Sequence, residues 1–161
     1  MDLRIVRADR GYVLEARTQI SRTVEEVFDF FGNAHNLERV TPSFLRFEIL
    51  TQDPVIMRQG TLIDYQLSLR GIPVRWRSEI TVWEPPHRFI DTQAKGPYRW
   101  WIHEHRFEED RGGTLMTDRV EYGVLGGAIV NMLLVEPDLR RIWEHRDQAI
   151  RRHLEPRQVE G

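Results

Sequence analysis

Among its 161 residues the chain has no cysteine and a single lysine, Lys95. The lack of cysteine excludes disulfides, thiolate metal sites and cysteine nucleophiles. Arginine therefore carries almost all the positive charge, a bias that genome base composition explains as readily as function. No charge of either sign dominates: the formal net charge of -2 gives no general pull toward nucleic acid or an anionic membrane. Long hydrophobic runs are also missing. No segment approaches the ~20 apolar residues of a membrane span, and the opening Met1-Asp2-Leu3-Arg4 does not read as a signal peptide. The expectation is a cytoplasmic protein without nucleic-acid partners or stable membrane insertion. The length fits one domain over residues 1–161, with its core over about 12–154.

What is present is concentrated between Tyr98 and Tyr122. Two alternating segments flank Arg111-Gly112-Gly113 and read as a long β-hairpin. One face carries Trp101, His103, His105, Phe107, Met116, Asp118, Val120 and Tyr122. The other carries Glu104, Arg106, Thr117, Arg119 and Glu121, so the first face is the inner one. Parity fixes the register. A compact turn centred on Arg111-Gly112 pairs Phe107 with Met116, His105 with Asp118, His103 with Val120 and Trp101 with Tyr122. Directly opposed Cβ atoms lie ~5 Å apart and diagonal ones ~7 Å, so Asp118 faces His105 and is within reach of His103.

The rest of the chain is punctuated clearly. Tyr12–Ile20 alternates as a strand. Thr23 followed by Glu26 forms a capping-box signature, with Val27, Phe28 and Phe31 on one helical face. A second short helix, about Ala34 to Arg39, stops before Thr41-Pro42. Strands are expected at Arg46–Thr51, Thr61–Leu69, Val74–Trp83, Arg88–Ala94, Arg99–Glu109 and Thr114–Tyr122. Turn chemistry separates them at Gly71-Ile72-Pro73, Pro85-Pro86-His87 and Lys95-Gly96-Pro97, which implies an antiparallel meander. After Gly126-Gly127, Ile129, Met132, Leu133, Leu139, Ile142, Trp143, Ala149 and Ile150 recur near helical spacing. Pro137 marks a kink or the first turn of a new helix. From Glu155 the pattern frays. Arg140, Arg141, Arg146, Arg151 and Arg152, interleaved with Glu144 and Asp147, read as a solvated face, with Arg146 close enough to Trp143 to reach the sheet. His35, His87, His145 and His153 read as surface or loop histidines.

This order and its local motifs resemble the START/SRPBCC superfamily, the helix-grip fold, and within it bacterial ligand-binding and polyketide cyclase/dehydrase-like proteins. The residues that carry the resemblance are Asn36-Leu37-Glu38 with Thr41-Pro42, Tyr65, and Gly71-Ile72-Pro73 with Trp76. They continue with Trp83-Glu84-Pro85-Pro86, Phe89 with Asp91, Gly96-Pro97-Tyr98, the inward row Trp101 to Phe107, and Gly113-Thr114 through Tyr122. The resemblance implies an α+β fold: a curved antiparallel sheet of about seven strands wrapped around a long C-terminal helix, with two short helices after the first strand. It also implies a cavity opening between the loops and that helix.

The expected ligand-lining set is Tyr65, Trp76, Phe89, Asp91, Gln93, Trp101, His103, His105, Met116, Asp118, Tyr122 and Trp143. On the strand after Tyr65, the positions Trp76, Ser78, Ile80 and Val82 are expected to point inward. The inward polar row has three readings: anchors for a polar group of a ligand, an acid/base pair of His105 or His103 oriented by Asp118, or a buried brace. The first is favoured, with a lipid-like, aromatic or polyketide-like ligand and a monomeric or homodimeric protein. A cyclase/dehydratase-type enzyme and a domain with a filled core are the alternatives. Nothing resembling a nucleophile elbow supports Ser78 as a nucleophile. The pair His103-x-His105 with Asp118 has the makings of a facial metal set, but a lone His-x-His falls far short of a complete ligand set, so no metal or other cofactor is expected.

Overall fold

The inward and outward alternation along the central strands builds a single eight-stranded antiparallel sheet, ordered β1-β2-β8-β7-β6-β5-β4-β3. The computed structural model describes residues 1–155; the fraying expected beyond Glu155 lies outside them. Strands β1 (Asp2–Arg7) and β2 (Tyr12–Ile20) form the first hairpin. The chain then crosses to the opposite sheet edge through helix α1 (Val24–Phe31), helix α2 (Asn36–Val40) and a 3₁₀ turn at Ser43–Leu45. From β3 (Glu48–Ile49) it returns through β4 (Leu62–Leu69), β5 (Ile72–Glu84), β6 (Arg88–Lys95), β7 (Trp100–Asp110) and β8 (Gly113–Gly123). β8 pairs with β2, which closes the order. A short helix α3 (Gly127–Val130) and a π-helical turn (Asn131–Val135) lead into the long helix α4 (Glu136–Leu154). The apolar side of α4, with Leu139, Trp143, Ala149, Ile150 and Leu154, packs on the inward face of the sheet. This is the helix-grip fold.

Local chemistry explains the connections. Arg111 and Gly112 both take positive φ, 50° and 77°, as a two-residue hairpin turn requires. That turn sets the register Phe107↔Met116, His105↔Asp118, His103↔Val120 and Trp101↔Tyr122, the pairing expected from parity. The Thr23 hydroxyl accepts from the Glu26 amide while the Glu26 carboxylate accepts from the Thr23 amide, so the capping box of α1 is complete. Pro137 lies in the first turn of α4, where its missing N–H costs nothing.

Several expectations are corrected. The sheet has eight strands rather than about seven, because β1 adds an edge before Tyr12. Only Leu3 and Ile5 of β1 turn toward the core, and its arginines face water, so its apolar signal is weak. The strand expected over Arg46–Thr51 shrinks to two residues, since Arg46 takes a left-handed backbone at the end of the 3₁₀ turn. The turn expected at Gly71-Ile72-Pro73 falls one residue earlier, at Arg70-Gly71, and Ile72 and Pro73 belong to β5. A β-bulge between Ile80 and Val82 reverses the alternation of β5. Trp83, not Val82, therefore joins the core, where it packs on Phe28 and Phe89. Ile129, Met132 and Leu133 are exposed, at 68%, 61% and 59%. The extra residue of the π turn breaks the helical phase between them and Leu139.

Replacing Thr23 with Ala removes one half of the capping box and is expected to cost about 1 kcal/mol, read as a lower urea midpoint with an unchanged slope. An unchanged midpoint would show that α1 is held by packing alone.

Candidate functional site

The inward row of β7 places His103 and His105 one pleat apart with their rings stacked, centroids 3.7 Å apart. Carboxylates lie on both sides of this pair. Asp118 of β8 accepts from His103 Nε2 at 2.8 Å, and Asp91 of β6 accepts from His105 Nε2 at 2.7 Å. The second nitrogen of each ring faces the opposite carboxylate. His105 Nδ1 is 3.2 Å from Asp118 Oδ1 and His103 Nδ1 is 3.7 Å from Asp91 Oδ2. His105 Nδ1 is outside hydrogen-bonding geometry and is a buried nitrogen without a partner. The directly opposed pair His105 and Asp118 is thus not the hydrogen-bonded one. Asp118 bonds the diagonal ring, His103, and His105 turns to Asp91 on the neighbouring strand.

Asp118 has two further partners from α4. Arg146 approaches its two oxygens at 3.3 and 3.4 Å, and Trp143 Nε1 donates at 3.3 Å. Among the arginines of α4, Arg146 was the one expected to approach the sheet beside Trp143, and it does so. It is 6% exposed and pairs inward with Asp118. The signal was tryptophan at i and arginine at i+3 on one helical face.

Electrostatics follow from this placement. For Asp118, burial opposes the charged form, but Arg146 and the two histidines outweigh it and hold the carboxyl well below its ordinary range. Burial likewise raises Asp91, and His105 and His103 more than reverse it. His103 is pushed down by burial and by the charge of His105. For His105 burial acts downward too, yet the two carboxylates prevail and its pKa is raised. The cluster therefore contains two ionised carboxylates, one guanidinium and an imidazole that favours its protonated form.

Asp91, His103 and His105 form one end of a cavity of about 180 Å³. Its further wall includes residues of β4 and β5 (Ile63, Tyr65, Leu67, Trp76), the end of α2 (Val40), the segment between α2 and β4 (Leu45, Phe47, Met57), and α4 (Leu139, Ile142, Trp143). Of the expected lining residues, Tyr65, Trp76, Phe89, Asp91, Trp101, His103, His105 and Trp143 reach this cavity. Four others do not. Gln93 exchanges two hydrogen bonds with the Tyr98 backbone and braces the 96–98 turn. Met116 packs with Phe107 and α1. Tyr122 is fully buried and donates to Asn131 Oδ1 at 3.0 Å. Asp118 is screened by the two rings, and its side chain is 5% exposed against 20% for Asp91. Tyr98, Leu139 and Ile142 line the cavity without having been anticipated. Their contribution depends on how loop and helix cross the sheet, which alternation within one strand does not reveal. Trp76 Nε1 is a second buried donor without a partner, in the cavity wall.

Residues 20–146 match the family described as polyketide cyclase/dehydrase and lipid transport. The chain belongs to this family. No curated protein matches its sequence. Among solved structures, a protein of Chromobacterium violaceum superposes with a TM-score of 0.70 at 14% identity, covering 89% of this chain and 98% of that one. The ginseng major latex-like protein 151 from Panax ginseng gives 0.67 at 14% identity, with 89% and 97% covered. A protein of Mycobacterium smegmatis gives 0.64 at 17% identity, with 91% and 95% covered. At these identities the likeness is one of fold. The chain is thus SRPBCC, polyketide cyclase-like, a family whose fold is of the hydrophobic-ligand-binding type. Among the described residues, no helix is long and apolar enough to cross a membrane.

Trp143→Phe keeps the ring in the cavity wall and deletes the donor to Asp118. A buried carboxylate loses one of its hydrogen bonds, so a loss of about 1–3 kcal/mol is expected in equilibrium unfolding. A change within error would show that Arg146 and His103 alone satisfy Asp118.

Proposed function

We propose that this protein binds a small, largely apolar ligand with an aromatic or polyketide-like ring system in the cavity beneath α4. The observation that carries this reading is the composition of the cavity wall: a largely apolar lining in which Tyr65, Trp76 and Trp101 are stacked or edge-on to one another, with the Asp91, His103 and His105 cluster among its few polar groups. Such a wall orients a flat molecule, with its rings against Tyr65, Trp76 and Trp101 and one polar substituent at Asp91 and His105. The unpartnered Trp76 Nε1 supports a ligand oxygen on that side. The size narrows the class. The cavity is about 180 Å³, near the ~150 Å³ of an apolar cavity that accommodates benzene, so one or two rings fit without rearrangement. A long acyl chain fits only if the segment around Met57 or α4 gives way. The open space also speaks against the reading of a filled core.

A second reading is favoured by one specific arrangement. Both histidines face the cavity with carboxylates behind and beside them, the layout needed for acid/base assistance to a cyclisation or dehydration. In that reading His105 or His103 is the acid/base and Asp118 the orienter.

The test is a thermal-shift panel of phenols, naphthols and fatty acids. At a concentration of 100 times Kd, binding contributes about 2.7 kcal/mol and moves Tm by about 5–10 °C. Naphthol-sized compounds are expected to produce this shift, and Ile142→Trp, which fills the cavity from α4, is expected to abolish it without lowering the Tm of the free protein much. No shift with any compound, or an undiminished shift in Ile142→Trp, would refute the cavity as the binding site.

A further inference from the structure

From the convergence of Asp91, His103 and His105 on one point at the cavity end, with Asp118 behind both rings, we infer a binding site for a divalent first-row transition metal ion. One donor atom from each of the three residues lies within 4.8 Å of the others. His105 Nε2 and His103 Nδ1 address the same Asp91 oxygen, at 2.7 and 3.7 Å. In a tetrahedral site with bonds of about 2.0 Å, neighbouring ligand atoms are about 3.3 Å apart. Modest side-chain rotations bring all three donors to that spacing.

The surroundings are those of a metal centre rather than of a simple ion pair. Metal-bound histidines commonly donate the other ring N–H to a carboxylate, which fixes tautomer and orientation. Asp118 occupies this position for both rings at once, bonding His103 Nε2 at 2.8 Å and lying 3.2 Å from His105 Nδ1. With the metal bound, His105 gives up its bond to Asp91, Nε2 becomes a ligand, and Nδ1, otherwise a buried nitrogen without a partner, carries the proton toward Asp118. All three residues line the cavity, so a fourth coordination position would open onto the ligand space, as in catalytic rather than structural zinc sites. Two imidazoles and one carboxylate suit zinc, cobalt or ferrous iron better than calcium or magnesium, which prefer all-oxygen sites.

The experiment uses the full chain after dialysis against chelator, titrated with Co²⁺ and with Zn²⁺ in the absence of any organic ligand. One equivalent is expected to bind, with visible d–d bands of four- or five-coordinate cobalt and competition by zinc. Asp91→Asn and His105→Ala are each expected to weaken binding beyond the ~10–100-fold typical of losing an outer-shell partner, while Asp118→Asn falls within that range. His35→Ala, which breaks the exposed pair with Asp53, is expected to leave binding unchanged. If His105→Ala fails to fold, Asp91→Asn and the wild-type ring-proton spectrum carry the test: Zn²⁺ must shift the resonances of two histidines and leave the other four in place. No stoichiometric uptake, uptake insensitive to Asp91→Asn, or shifts confined to His35 overturn the inference. Ligand binding is assayed separately in chelator, so failure of the metal site and failure of the cavity reading are told apart.

Discussion

Asp118 is a carboxylate taken out of water, and the architecture around it keeps it charged. Its partners come from two different elements: a histidine from β7, and an arginine and an indole N–H from α4. Removing two charges from water costs several kcal/mol per ion unless geometry and additional hydrogen bonds offset it. The pair is therefore poor evidence for stability in itself. What it supplies is position. The placement of α4 over the sheet that brings Arg146 to Asp118 also sets Trp143, Ile142 and Leu139 into the cavity wall. The helix grip, the polar end of the cavity and the orientation of the two imidazoles are one arrangement seen from three sides.

This layout separates two carboxylates by role. Asp118 is enclosed, fully partnered and held ionised. Asp91 is on the neighbouring strand with 20% of its side chain exposed, and accepts a hydrogen bond from His105 with His103 3.7 Å away. Groups that enter the cavity meet Asp91, His103, His105 and Arg146, while Asp118 is set back behind the rings. A binding or reacting partner sees an acceptor and two imidazoles whose rear faces are already fixed, the preorganisation expected of a functional site rather than of a brace alone.

Much of this was readable in the chain, and the reasons are local. In the β7–β8 hairpin, strict alternation with charged residues on one side and aromatics on the other leaves a single face for the core. A two-residue turn at Arg111-Gly112 then leaves a single register. Asp91 was likewise among the residues expected to line the interior, and it does so. The limits are equally physical. Cross-strand distance does not say which of two reachable rings a carboxylate chooses, and here Asp118 took the diagonal His103 because Asp91 competed for His105. The bulge that turned Trp83 inward leaves no mark in composition, and the π turn that exposed Met132 and Leu133 breaks helical phase without a proline or glycine inside it. Gln93 and Tyr122 point inward as expected but are consumed by local hydrogen bonds. The cavity wall contributed by the α2–β4 segment depends on tertiary packing and has no periodic signature.

The central claim is that Asp118 and Arg146 act as one unit tying α4 to the sheet. A double-mutant cycle in equilibrium unfolding, using Asp118→Asn, Arg146→Met and the double variant in chelator, tests it most directly. Each single change strands a buried polar or charged partner and is expected to cost about 3–5 kcal/mol, while the double variant is expected to cost no more than the worse single one. Costs that add would contradict the claim, because independent residues cannot be the clasp on which the cavity depends.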